Sequence, residues 1–166
     1  CAELGDKTGF LSVVLHAHLP YVKHPELEDS LQQRWLFQAM TECYIPLLEA
    51  FGRLVSDGIR FRVTVSLSPP LLEMLADPML RERYKRYLRN LAELGEKEVQ
   101  RTAPDHVMNR LARMYAARAE EVLHMYTDVY HEDLVGAWAA LSRTGAVELI
   151  TSAATHGYLP LLLSQP

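Results

Sequence analysis

Three histidines stand where their side chains could do chemistry. His16 and His18 close a short run, Phe10-Leu11-Ser12-Val13-Val14-Leu15, and Pro20 follows directly. The run is apolar, β-branched at its centre and short, which predicts a buried strand with polar side chains at its tip. Side chains alternate along a strand, so His16 and His18 point to one side, and Pro20 ends the ladder. His156 lies in a second such tip, Ser152-Ala153-Ala154-Thr155-His156-Gly157-Tyr158-Leu159-Pro160, after the run Val147-Glu148-Leu149-Ile150-Thr151. Parallel strands would bring His16, His18 and His156 to one rim, where α/β enzymes keep their sites. A neutral imidazole donates one hydrogen bond and accepts another, which suits sugar hydroxyls, and its lone pair also suits a metal ion. Tyr21, Trp35 and Tyr158 offer flat faces on which a pyranose ring can stack.

A single histidine near an apolar strand is more often a hydrogen-bonded core residue than a catalyst. The i, i+2 pair, joined by a later histidine, favours a site. The same trio could begin the metal centre of a hydrolase, so His16, His18 and His156 as ligands form the competing chemistry.

Placing these tips together requires a βαβ unit. Glu26, Glu28 and Asp29 cluster ahead of Ser30, a good helix cap, and helical spacing runs from Leu31 through Trp35, Leu36, Ala39, Met40 and Cys43. Pro46 predicts a kink or restart, the stripe continues through Leu47, Leu48, Phe51, Leu54 and Val55, and Asp57-Gly58 ends it. Phe61-Arg62-Val63-Thr64-Val65-Ser66-Leu67 alternates as a second strand and stops at Ser68-Pro69-Pro70. A right-handed crossover then sets the tips His16/His18 and Ser66/Ser68 side by side. From Pro70 to Thr144 the pattern is helical: Leu71 to Ala76, Pro78 to about Val99, Pro104 to about Tyr130 and Leu134 to about Arg143, with Pro78 and Pro104 in first turns. No linker composition bounds this stretch, so it reads as a helical insertion in one domain. Its Met108, Met114, Tyr115, Met125 and Tyr126 read as core, as does Cys43.

Composition narrows the class. The 166 residues are 49% hydrophobic and 23% charged, with a formal net charge of −4 and a pI near 6.0, an ordinary globular balance that argues against nucleic acid as a partner. The basic run Arg81-Glu82-Arg83-Tyr84-Lys85-Arg86-Tyr87 mixes signs at helical spacing and reads as a solvated face. Two cysteines make no disulfide framework and suggest a reducing, cytoplasmic setting. No apolar run reaches the length of a membrane span. The first residue is Cys1 and the last Pro166, which reads as a piece of a longer protein.

Taken in order, Leu15-His16-Ala17-His18-Leu19-Pro20-Tyr21-Val22, Arg34-Trp35-Leu36-Phe37, Thr41-Glu42-Cys43-Tyr44-Ile45-Pro46-Leu47-Leu48 and Ile150-Thr151-Ser152-Ala153-Ala154-Thr155-His156-Gly157-Tyr158-Leu159-Pro160 closely resemble glycoside hydrolase family 57. The resemblance is nearest its α-1,4-glucan branching enzymes and amylase-like members, and it covers essentially the whole chain as the family's N-terminal portion. It implies an α/β fold: residues 1–166 form the N-terminal part of a single (β/α)7 barrel, with residues 70–144 as a helical insertion between the second and third strands. It further implies that His16 contacts the sugar in the central subsite, that His156 lines the same cleft, that His18 supports it, and that Trp35 belongs to the glucan groove, and Tyr158 is expected to bind substrate beside that cleft. The implied reaction is retaining, with a Glu nucleophile and an Asp acid/base, acts on glycogen- or starch-like α-glucans, and needs no cofactor or metal.

Both carboxylates belong to later motifs expected beyond Pro166. None of Glu26, Glu28, Asp29, Glu42, Glu73 or Glu148 lies in a motif that would replace them, so no catalytic pair is assigned. Gln32, Gln33 and Gln38 stand where relatives are commonly acidic. The chain alone is therefore expected to be inactive, a glucan-binding segment at most, and to associate with itself or with a complementary C-terminal half through the edge at Val147-Thr151.

Overall fold

The computed structural model describes Gly9 and residues 11–162. Among these, three parallel strands form one sheet in sequential order: β1 (Val14–Ala17), β2 (Val63–Leu67) and β3 (Val147–Ile150). The expected first strand began at Phe10, which lies outside the described residues; within them it starts later, at Val14. In register, Leu15 pairs with Val65 and His16 with Ser66, while Val65 pairs with Leu149 and Ser66 with Ile150. That register sorts the sheet into two faces. Leu15, Val63, Val65, Leu67, Val147 and Leu149 lie against the helices, in or beside the core. Val14, His16, Thr64, Ser66, Glu148 and Ile150 share the other face, where Val14, His16, Glu148 and Ile150 are exposed.

Helices α1 (Leu31–Ala39) and α2 (Ile45–Ser56) join β1 to β2. Ser30 caps α1 by accepting from the Gln33 amide at 3.2 Å, and Gly58 at φ +69° closes the end of α2. Between the two helices Met40–Tyr44 forms a π-helical turn directly before Pro46. The proline cannot donate a helical hydrogen bond, and the wider turn absorbs it without breaking the rod. The extra residue also rotates the helix beyond it. Met40, Tyr44, Ile45 and Leu48 turn inward, and Cys43, expected in the core, is exposed.

Four helices join β2 to β3: α3 (Pro69–Ala76), α4 (Pro78–Arg101), α5 (His106–His124) and α6 (Leu134–Arg143), with a second π turn at Met125–Val129. Asp77 caps α4 through the Leu80 amide at 3.0 Å, with Pro78 in the first turn as expected. Pro104 is not in a helix. Asp105 caps α5 instead, accepting from the Val107 and Met108 amides, because a side-chain acceptor at that position satisfies amides that proline could not. The core gathers Leu36, Ile45, Leu71, Met74, Leu80, Tyr84, Leu88, Val122, Tyr126, Leu134 and Trp138 beneath the covered sheet face. Tyr126 and Met125 belong to this region as expected, but Met108, Met114 and Tyr115 are exposed. The reason is the α4/α5 hairpin. Its helices touch through Gly95 and Ala116, where an added Cβ on Gly95 would come 2.9 Å from the Ala116 Cα, and Ala112, Ala119 and Val122 fill the rest of the seam. Met108 and Tyr115 line an open groove between α5 and the helices α1, α2 and α4, which no side chain among the described residues fills. No helix among the described residues is long and apolar enough to cross a membrane.

Candidate active-site rim

His16 is the third residue of β1, and His18 follows just past its end, on the same side. His156 arrives from the far side of the sheet through a tight turn, Ala154–His156, after β3. Two consecutive residues there, Thr155 at φ 62° and His156 at φ 59°, adopt the left-handed conformation, and the His156 amide donates to the Ala153 carbonyl at 3.0 Å. That conformation is unfavourable for non-glycine residues and most of all for a β-branched threonine. Its structural result is to fold the His156 ring back over the strand tips. The ring centroids of His16 and His156 are 4.9 Å apart, those of His18 and His156 4.1 Å, and those of His16 and His18 6.1 Å. All three rings stack, with interplanar angles of 21–27°.

Each of two rings is held by a serine. His18 Nδ1 lies 2.9 Å from Ser68 Oγ, and His156 Nδ1 lies 3.0 Å from Ser152 Oγ. His18 is half-buried, and its pKa is lowered, first by burial and then by the neighbouring His156 and His16 rings. A neutral, hydrogen-bonding imidazole results. Face-to-face stacking sets ring against ring instead of converging their nitrogens, and among the described residues no group of three or more His, Cys, Asp or Glu is placed to hold a metal ion.

Trp35 lies on the exposed side of α1 with 46% of its surface accessible, and Tyr158, in the segment after His156, is 69% accessible. Tyr21 is also exposed. Neither Trp35 nor Tyr158 is in ring contact with the histidines, so the structure gathers the three imidazoles and leaves both aromatics open to solvent.

The loop after His18 is fixed by contacts that the sequence motifs do not announce. Val22 is buried, and its amide points at Met74 Sδ on α3, 3.2 Å away. Lys23 bonds Asp77 Oδ2 at 2.5 Å. Gln33, buried in α1, donates through Nε2 to the carbonyls of His24 and Leu27 at 3.4 and 3.3 Å and accepts from Arg83 at 3.0 Å. Arg83 itself donates to the same two carbonyls and to that of Pro25. Glutamine suits this position because it donates and accepts at once, which a carboxylate cannot. Only the tertiary approach of α4 to the loop reveals it.

The fold is α/β, with three parallel strands in one sheet and histidines stacked at the strand tips. The family model for glycosyl hydrolase family 57 matches residues 12–165, and the chain belongs to that family. It is 34% identical over 160 residues to a 1,4-alpha-glucan branching enzyme of Thermococcus kodakarensis, covering 93% of this chain and 22% of that protein. Among solved structures it is similar to the alpha-amylase AmyC of Thermotoga maritima, at 41% identity and a TM-score of 0.85, covering 91% of this chain and 28% of the other. It is also similar to a branching enzyme of this family from Pyrococcus horikoshii, at 35% identity and a TM-score of 0.85, covering 92% and 28%. The chain thus spans about a quarter of the length of these relatives.

Proposed function

We propose that this chain is the N-terminal part of a retaining enzyme of the branching or amylase type, acting on α-1,4-glucans. The observation that carries the reading is the meeting of His16, His18 and His156 at one rim, with centroids 4.1 to 6.1 Å apart, in a chain of family 57. In this reading the three imidazoles hydrogen-bond sugar hydroxyls, and Trp35 and Tyr158 give stacking surfaces for flanking glucose units. The open sheet face, with Val14, His16, Thr64, Ser66, Glu148 and Ile150, is the interior of a (β/α)7 barrel, and helices α3–α6 are an insertion within that single domain. The Glu nucleophile and Asp acid/base are supplied by polypeptide beyond Pro166, and no cofactor takes part. The two cysteines and the family's glucan substrates fit a cytoplasmic location.

The role of these residues is one of binding and orientation. Hydrogen bonds to hydroxyls of the central glucose strengthen as positive charge develops on the ring, so they lower the barrier as well as hold the substrate. In an enzyme carrying both carboxylates, His16→Ala should lower turnover on amylose by the equivalent of about 2–4 kcal/mol, the scale of losing one well-placed donor. Kinetics on amylose with the variant measure it, and an unchanged rate would remove His16 from the site.

A further inference from the structure

The strand register carries a pattern that the histidines alone do not display. His16 pairs with Ser66, and Ser66 with Ile150. Two residues further along each segment, past the paired stretch, come His18, Ser68 and Ser152, and the Ser68 amide still donates to the Ala17 carbonyl at 3.2 Å while Thr151 Oγ1 donates to the Leu67 carbonyl at 2.9 Å. Both serines are bonded to an imidazole Nδ1, at 2.9 and 3.0 Å.

Ser68 is free for this because of its neighbours in sequence. It occupies the N-cap position of α3, where a serine hydroxyl ordinarily accepts from an amide of the first turn. Here Pro69 and Pro70 fill that turn, and the hydroxyl makes no capping bond. Fully buried, it bonds His18 instead. At β3 the Ser152 hydroxyl also donates to the Ala153 carbonyl at 3.3 Å, so its lone pairs face His156 and accept from an Nδ1–H. We propose that Ser68 and Ser152 are positioning residues, whose hydroxyls fix Nδ1 of His18 and His156 and leave Nε2 of both rings for the ligand.

The proposal rests on the reading of these rings as sugar contacts. For His156 it assigns the Nδ1–H tautomer, with Nε2 as an acceptor for a sugar hydroxyl. The charged form of His18 is disfavoured first by burial and then by the His156 and His16 rings. An unanchored imidazole would divide its time between two tautomers and several ring orientations, and only one of these suits a given hydroxyl.

The test uses the chain labelled with 15N-histidine and long-range 1H–15N spectra at about pH 8, where imidazoles are neutral. Ser68→Ala and Ser152→Ala should each shift only its own partner histidine from one tautomer to a mixture, and Ser68→Thr and Ser152→Thr should restore it. Maltoheptaose at millimolar concentration is the sugar probe, and its affinity should fall about tenfold in each alanine variant, the effect of one lost oriented hydrogen bond. Tautomer populations unchanged in both alanine variants, with the backbone amide spectra also unchanged, would overturn the positioning role. Tautomers that shift as expected while maltoheptaose perturbs no histidine in the parent chain would uphold the serine bonds and overturn the sugar reading.

Discussion

Packing alters the chemistry of His18 within the site itself. Burial disfavours its charged form, and so do the two rings beside it, so the folded-state pKa lies below the ordinary 6.5. Because the folded state resists the proton, the unfolded chain binds more of it, and this contribution to stability is complete above 6.5 and lost as the pH falls through the lowered value. An NMR titration should therefore place the His18 midpoint below 6.5, and His156→Ala should move it upward by removing one of the neighbouring rings that disfavour its charged form. A midpoint at or above 6.5 in the parent chain would contradict the packing described for this ring. A sugar contact that needs a neutral His18 should weaken over the same acid range.

At the scale of elements, the Gln33–Arg83 clamp decides where the loop after β1 lies. Gln33→Glu would keep an acceptor for Arg83 but turn a buried carboxylate oxygen towards the His24 and Leu27 carbonyls that now receive a hydrogen bond. The expected cost is about 1–3 kcal/mol, the scale of a broken buried hydrogen bond that leaves its partner unpaired. Urea denaturation would read it as a lower midpoint with an unchanged slope. Gly95 is a second pressure point. Gly95→Leu should separate α4 from α5 and cost about 1–3 kcal/mol by overpacking, because the nearest atom is the Ala116 backbone, which cannot rotate away. Melting of the variant at or above the parent temperature would show that the seam is looser than the 2.9 Å approach implies.

For the whole molecule, the uncovered sheet face governs behaviour. Val14 and Ile150 are exposed there, and among the described residues β1 and β3 each have a partner on one side only. Parallel strands are ordinarily buried on both faces, and bare edges invite pairing. The 166-residue chain is therefore expected to elute larger than a monomer in size-exclusion chromatography and to turn over no amylose, because retention needs two positioned carboxylates that none of its motifs supplies. Iodine staining and reducing-end release measure the second point. Clear turnover by a monodisperse monomer would refute both expectations. The exposed Met108, Met114 and Tyr115 on α5 add further apolar surface, Met108 and Tyr115 along the groove towards α1 and α4.

What was legible in the sequence is what local chemistry settles. Alternation and β-branching marked the strands at 63–67 and 147–150 to within two residues, Ser30 and Gly58 marked helix ends, and the strand-tip motifs marked His16, His18 and His156. Periodicity placed the helices, since an amphipathic stripe is written in the order of residues. It could not place Cys43, because an inserted π residue shifts the phase of a helix without leaving a mark in the pattern. Nor could it tell that Met114 and Tyr115 face solvent, since an apolar stripe says nothing about whether another element arrives to cover it. The histidine site divides along the same line. Residue type announced the imidazoles, but their stacking depends on the sheet register and on two left-handed residues at Thr155 and His156. The serine anchors and the Gln33–Arg83 clamp join residues 50 apart, or 4 apart across a sharp turn, and such pairings exist only once the chain has closed on itself.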